Sequence, residues 1–316
     1  MTKSATAFAD ELPPITPKEH HNYVAFFLTL ACNLHCDYCL NLHQNAKRSD
    51  QRAKRMLSAE DWITAANRLV LRNDLPLTLQ GGEPTLHQGF YRLVNEANEE
   101  IKMDLMTNMM FDVDAFIKKV PVERFTRNAP YAAIRVSYHP GQNDIDDLIR
   151  KTLKMQDAGF RVGLYGIEHP DPEIRKHILE IQEKCRKLEL DFRTKEFLGN
   201  YKGKLYGTFK FPDCVDGEKT KHCECRTSEI LVDPAGHVYK CHSDLYKDRS
   251  PIAHILDAGF SQETIEEYRP CRYYGDCNPC DVKVKTNRFQ VFGHTSVNIR
   301  NIQDNFSVPT ERHPTP

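Results

Sequence analysis

In the stretch LACNLHCDYCLN, Cys32, Cys36 and Cys39 form C-x-x-x-C-x-x-C with no fourth cysteine nearby. Structural zinc and ordinary iron–sulfur clusters take four protein ligands. Three thiolates on one loop can instead hold three irons of a [4Fe–4S] cube and leave the fourth open, a Lewis-acid site for an exchangeable chelator. The competing reading is a zinc ion completed by a distant residue, with His35 and His43 close in sequence. Further along, LQGGEPTL at 79–86 sets two glycines where a backbone could approach a ligand with no Cβ in the way.

A second group of cysteines lies toward the C-terminus. KHCECRTSEILVDPAGHVYKC spans 221–241 and reads as a hairpin, with a strand over 230–232, the turn DPAG, a strand over 237–239 and cysteines at both ends. CRYYGDCNPC then supplies Cys271, Cys277 and Cys280. A hairpin pair plus a distant C-x-x-C can hold one four-thiolate centre, of zinc or of iron and sulfide. Cys214 falls in a linker-like stretch and is read as unligated. Cys185 falls on an apolar helical stripe and is read as a packed thiol.

The 316 residues carry 43 Lys+Arg against 44 Asp+Glu, a formal net charge of −1. That balance argues against a protein whose main partner is a nucleic-acid backbone. A basic run over 46–55 is read as a solvated loop rather than a patch for an anionic substrate. The N-terminus, MTKSATAFADELPP, lacks the apolar segment of a signal peptide, and Asp10 and Glu11 argue against a transit peptide. No stretch approaches the roughly 20 apolar residues of a membrane span. A cytoplasmic chain is expected, in which eleven cysteines point to metal or redox chemistry rather than disulfides.

The elements that would position these groups alternate in type. Strands are expected over 24–30, 75–79, 102–106, 132–138, 161–167 and 190–197. Ser58 with Asp61 reads as a capping box ahead of a helical stripe of Trp62, Ala66, Leu69 and Val70. Phe90, Leu93, Val94, Ala97 and Ile101 form a second stripe, and Ile174, Ile178, Ile181, Cys185 and Leu188 a third. Six strands separated by helices predict parallel strands with right-handed crossovers, an α/β sheet or open barrel. Chemistry in such folds collects at strand C-termini. The three cysteines follow strand one, GGEP strand two and Thr107–Asn108 strand three, while Ser137 lies in strand four. All of them could face one cavity.

With Tyr38 as the aromatic of C-x-x-x-C-x-Tyr-C and GGEP beyond it, the stretch from about 23 to 199 resembles the radical S-adenosylmethionine (SAM) superfamily. The resemblance implies a partial (β/α)6 barrel and a [4Fe–4S] cluster on Cys32, Cys36 and Cys39. In that superfamily the amine and carboxylate of SAM chelate the open iron. One electron then splits the sulfonium, and a 5′-deoxyadenosyl radical takes a hydrogen atom from substrate. The resemblance also implies that Tyr38, Gly81, Gly82, Glu83, Pro84, Asn108 and Ser137 meet SAM, Glu83 facing the ammonium and Ser137 the ribose. For Thr107–Asn108 a plain strand-ending turn stays open. GLYGIEHP at 163–170 is similar to the family's adenine-side motif only loosely and assigns no residue.

The C-terminal spacing is similar to the SPASM/twitch extensions of radical SAM enzymes, whose cysteines bind auxiliary [4Fe–4S] clusters. Aligned on Gly236 and Cys241, it implies one auxiliary cluster on Cys223, Cys241, Cys277 and Cys280, with Cys225 and Cys271 as alternates. The final C-x₅-C-x-x-C departs from the two-cluster pattern and fits the one-cluster twitch type. The expected division is an N-terminal extension (1–22), the barrel (23–199), a linker (200–222), the auxiliary-cluster domain (223–295) and a tail (296–316). The leading expectation is a radical SAM enzyme acting on a small polar substrate of sugar or aminocyclitol type, served by a donor such as flavodoxin or ferredoxin. A ribosomal peptide or protein side chain is the alternative substrate. A non-enzymatic electron-transfer or zinc-stabilised binding protein is the reading from another class. His139, Glu168, His169 and Lys195 are the candidates for proton handling.

Overall fold

Strand β1 (Tyr23–Thr29) is buried along its whole length. Val24, Phe26 and Leu28 join the main core, while Tyr23, Ala25 and Phe27 belong to a separate cluster on the opposite face. A parallel strand covered on both sides reads as a continuous apolar run, which is why VAFFLTL shows no alternation. The computed structural model of the protein describes residues 12–39, 41, 56–197, 199–206, 223–271 and 297–301.

Beyond β1, the parallel strands β2 (Leu77–Gly81), β3 (Met103–Thr107), β4 (Ile134–Ser137), β5 (Val162–Glu168) and β6 (Phe192–Glu196) lie side by side in chain order. Helices α1 (Ala59–Asn67), α2 (Phe90–Glu96), α3 (Val113–Lys119), α4 (Ile145–Asp157) and α5 (Pro172–Lys187) connect them. All six expected strands are present, none displaced by more than two residues at either end. The capping box forms as expected: Asp61 N donates to Ser58 Oγ (3.2 Å) and Ser58 N to Asp61 Oδ2 (3.0 Å).

The helical stripes outrun their helices. Val70 is 52% exposed, because α1 ends at Asn67 and residues 68–70 bridge to Ile15 instead. Ala97 and Ile101 are buried but lie past the end of α2, and Leu188 is exposed past the end of α5. Cys185 is fully buried in the core, as its stripe predicts.

The alternation hidden in the sequence separates two kinds of surface. Leu77, Leu79, Met103, Leu105, Ile134, Val136, Val162 and Leu164 all enter the apolar core under the helices. Their neighbours point to the other side by the period-two rule of strands. That inner face carries buried Thr78, Gln80, Asp104, Arg135 and Tyr165.

After β6 the chain forms a small hairpin, β7 (Gly199–Tyr201) and β8 (Lys204–Tyr206). Strand β9 (Cys223–Thr227) follows, then β10 (Glu229–Val232), β11 (His237–Tyr239), α6 (His242–Lys247) and β12 (Ala253–His254). The last described elements are α7 (Gln262–Glu266), β13 (Arg269–Cys271) and β14 (Val297–Asn301). The hairpin expected over 230–239 is present, and it continues the main sheet: β10 pairs parallel with the free side of β1, giving the order β12-β11-β10-β1-β2-β3-β4-β5-β6. Strands β13, β9 and β14 make a separate antiparallel sheet.

Arg68, which caps α1, ties three distant segments together. Its buried guanidinium donates to Pro13 O (2.9 and 3.1 Å), Asp257 O (3.1 Å), Phe260 O (2.7 Å) and Ile255 O. No helix among the described residues is long and apolar enough to cross a membrane.

Candidate active site

The C-terminal end of β2 meets the start of the cysteine loop at very close range. Gly82 N donates to Thr29 O (2.7 Å) and Glu83 N to Ala31 O (2.8 Å), so the β1–β2 ladder runs on into the loop. Gly81 has φ +142°, and a Cβ there would lie 2.0 Å from Thr29 O; one on Gly82 would lie 2.1 Å from Ala31 O. Only glycine fits at either position.

This close approach brings Glu83 under the loop, where the residue is 1% exposed. Thr107 Oγ1 donates to its two oxygens at 2.9 Å each, Asn108 N at 2.8 Å, Thr85 Oγ1 at 2.6 Å and Thr85 N at 3.1 Å. Burial nonetheless raises the Glu83 pKa against these donors. No lysine or arginine among the described residues pairs with it. The result is a held, enclosed carboxylate suited to an incoming cation. Both residues of the Thr107–Asn108 pair thus hold the Glu83 carboxylate.

Asn108 also reaches the cysteines. Its Nδ2 donates to Asn33 Oδ1 (2.7 Å) and lies 3.6 Å from Cys32 Sγ. Within the loop, Leu34 N donates to Cys32 Sγ (3.4 Å) and Cys39 N to Cys36 O (3.0 Å), while His35 N donates to Gln142 Oε1 (2.9 Å) beyond β4. Burial and then repulsion from Cys39 and Cys32 push the Cys36 thiol up to about 12. Burial likewise raises Cys32. Such thiols ionise only against a compensating metal charge.

Sulfurs around one zinc ion, each about 2.3 Å from it, stand about 3.8 Å apart. Among the described residues only His20, His21 and Glu266 bring three potential ligand atoms within 4.8 Å of one another. The sulfurs of Cys32, Cys36 and Cys39 are not all within that distance of one another.

Tyr38 leaves the loop toward the far strands. Its hydroxyl pairs with His139 Nδ1 (2.9 Å), and its ring packs 5.8 Å from His139, 5.7 Å from His169 and 5.7 Å from Phe197. Burial, helped by Lys195, lowers the His139 pKa to about 4. Lys195 Nζ sits 5.0 Å over the Tyr165 ring. Glu168 is exposed and accepts from Thr194 Oγ1 (2.6 Å). Ser137 ends β4 half-buried beside Tyr165, and Pro84 is buried in a short 3₁₀ turn.

The geometry thus gathers Cys32, Gly81, Gly82, Glu83 and Asn108 into one site, and from the same loop Tyr38 pairs with His139 beyond β4. Glu168 pairs with Thr194 instead. Thr85, Asn33 and Gln142 were not found by sequence reasoning. Thr107 was named there with Asn108 at the end of strand three.

The family model for the radical SAM superfamily matches residues 26–188, more than half of the chain. The chain belongs to the radical SAM superfamily. It is an enzyme of that class, whose members use a [4Fe–4S] cluster and SAM, and the three free thiols of the loop and the uncompensated Glu83 fit those groups. No curated protein matches the chain significantly. Among solved structures it is similar to native anSMEcpe with bound AdoMet and Cp18Cys peptide (13% identity, 80% of each chain covered, TM-score 0.46). It is also similar to native anSMEcpe with bound AdoMet (14%, 80% of each chain, 0.48) and to Streptococcus suis SuiB (12%, 78% of this chain and 64% of that one, 0.40). These likenesses are too distant to transfer a substrate.

The C-terminal cysteines of this radical SAM enzyme are partly described. Cys271 stands opposite Cys223 in the β13–β9 ladder, and Cys225 lies two residues further along β9. Cys241 Sγ accepts from Asp244 N (3.4 Å). Burial opposes the charge of Lys240, yet Cys241, its ion-pair partner Asp244 and Cys271 hold its pKa above the usual range. Cys277, Cys280 and Cys214 lie outside the described residues.

Proposed function

We propose that this enzyme cleaves SAM reductively and takes a hydrogen atom from a small polar substrate held on the inner face of the sheet. In this reading an auxiliary [4Fe–4S] cluster in the C-terminal part handles electrons, and a flavodoxin- or ferredoxin-type protein donates them. A [4Fe–4S] cluster with SAM at Cys32, Cys36 and Cys39 supplies a carbon radical able to break an unactivated C–H bond. The chain's own residues bind and orient. Glu83 receives the ammonium of SAM, Gly81 and Gly82 let the ligand approach the backbone, and Asn108 fixes Cys32 relative to Glu83. Tyr38 and His139 screen the site from water on the side of β4 to β6.

The observation that carries the substrate class is the polarity of the inner face. Thr78 Oγ1, Gln80 Nε2, Arg135 Nε and Tyr165 Oη are buried there without a hydrogen-bond partner. Each buried group left unpaired costs about 1–3 kcal/mol, a cost that a polar ligand removes and an apolar one leaves standing. Asp104 takes Arg127 in a two-bonded pair (2.8 and 2.7 Å) and Arg135 at 3.2 Å, two guanidiniums to one carboxylate. That excess of donors favours a substrate rich in acceptor oxygens.

For the auxiliary cluster, Cys223, Cys241, Cys277 and Cys280 are the proposed ligands, with Cys225 and Cys271 as alternates. The register of Cys271 against Cys223 favours Cys271 among the alternates.

Anaerobic reconstitution with iron, sulfide, SAM and dithionite tests the proposal. It should release 5′-deoxyadenosine, and Cys36→Ala should abolish the release. Release accelerated by a low-molecular-mass polar metabolite fraction would support the substrate class, and acceleration by peptides alone would overturn it. Iron and sulfide amounting to a single cube would remove the auxiliary cluster.

A further inference from the structure

His20, His21 and Glu266 take no part in the SAM site. The histidines lie just ahead of β1, and Glu266 ends α7, shortly before the β13 strand that carries Cys271. Glu266 Oε1 is 3.6 Å from His20 Nε2 and 3.7 Å from His21 Nδ1. Both separations are longer than a good N–H···O hydrogen bond of about 2.7–3.2 Å. They are close to the edge of a coordination shell: donor atoms about 2.0–2.1 Å from zinc at tetrahedral angles stand about 3.4 Å apart.

The histidine nitrogens are otherwise unused. His21 is 0% exposed and neither of its ring nitrogens has a hydrogen-bond partner; His20 Nε2 is buried and equally unpaired. The two rings lie 4.2 Å apart, so both reach the same carboxylate oxygen. The segment that presents them is fixed from behind. Arg72 donates to Pro17 O (3.0 Å), Lys18 O (2.7 Å) and His21 O (2.8 Å).

We propose that His20, His21 and Glu266 bind a zinc ion that fastens the C-terminal part of the chain to the segment leading into β1. The surroundings select the metal. Glu266 Oε2 faces Lys18 Nζ (3.4 Å) and Arg226 Nη1 (3.3 Å), while Gln262 Nε2 donates to Oε1 (2.9 Å). These contacts orient Oε1 toward the histidines. The two cations also repel any incoming ion, so a hard cation held by one carboxylate gains too little to stay. Zinc gains two imidazole bonds as well. With the His20 and Glu266 side chains still 25% and 14% exposed, a water can complete the tetrahedron.

The test uses the full chain, purified anaerobically and offered zinc alone. About one zinc per chain should survive dialysis, counted apart from iron by mass spectrometry. Its K-edge absorption should show nitrogen and oxygen neighbours with imidazole scattering. His20→Gln and Glu266→Gln, both partly exposed positions, should each weaken zinc binding at least about tenfold while far-UV circular dichroism stays unchanged. Zinc should raise the thermal midpoint of the wild type and not of either variant. Substoichiometric zinc in the wild type, or a first shell of sulfur at about 2.3 Å, would overturn the proposal, the latter by putting the ion on the cysteines.

Discussion

Gly82→Ala tests how closely β2 must approach the cysteine loop. The added Cβ would stand 2.1 Å from Ala31 O and 2.6 Å from Leu30 O. Relaxed carbon–oxygen contacts begin at about 3.3 Å, so one backbone must yield by about 1.2 Å. Both obstructing atoms are main-chain, and no rotamer change relieves them. The shift breaks the bond from Glu83 N to Ala31 O or from Gly82 N to Thr29 O, at about 0.5–1.5 kcal/mol each. It also carries Cys32, the residue after Ala31, away from Glu83. A misplacement of about 1 Å at a reacting centre costs on the order of 10²-fold in rate. Gly82→Ala should therefore lose about 1–3 kcal/mol in denaturant unfolding. Its release of 5′-deoxyadenosine, followed anaerobically by chromatography at matched iron content, should fall about a hundredfold. A variant with wild-type stability and a rate within a factor of about three would show that the loop does not depend on this approach.

Glu83→Gln should weaken SAM binding by at least about a hundredfold, as expected when one partner of a buried ion pair is removed, with iron content unchanged; an unaltered dissociation constant in anaerobic equilibrium dialysis would refute the assigned role. Thr107→Val removes a donor from the charged form of Glu83, whose pKa burial already raises. The acid limb of the rate–pH profile should then move to higher pH, and an unmoved limb would count against it. His139 has a folded pKa of about 4 against 6.5 in the open chain, so its contribution is present above pH 6.5 and lost as pH falls through about 4. That gap corresponds to about 3 kcal/mol, and His139→Gln should flatten the stability–pH curve over this window in urea titrations. Arg68→Met strips the donor shared by Pro13, Ile255, Asp257 and Phe260. It should cost about 3 kcal/mol or more in thermal or urea unfolding, and a loss below about 1 kcal/mol would show those carbonyls to be solvated.

Much of the site was legible because the chemistry is local. Cys32, Cys36, Cys39 and the GGEP turn announce themselves by spacing, and six apolar runs sufficed to lay out parallel strands. What stayed hidden depends on partners distant in the chain. The inner-face pattern of Thr78, Asp104 and Arg135 is masked by apolar neighbours that are buried as well. Thr107 gains its role only when β3 lies beside β2. The opposition of Cys271 and Cys223 is a fact of strand register that spacing does not encode. Stripes misjudge helix ends for a related reason: Val70 keeps the helical period, but residues 68–70 hydrogen-bond to Ile15.

Strand β1 delivers the three cysteines, yet it is an interior strand only because residues 229–232 return from late in the chain to lie beside it. A fragment ending at residue 222 would leave β1 as a bare margin, its unpaired amides and carbonyls open to any passing chain. Attempts to isolate the SAM-cleaving half should therefore yield aggregates, and the two halves of the molecule should melt in a single transition.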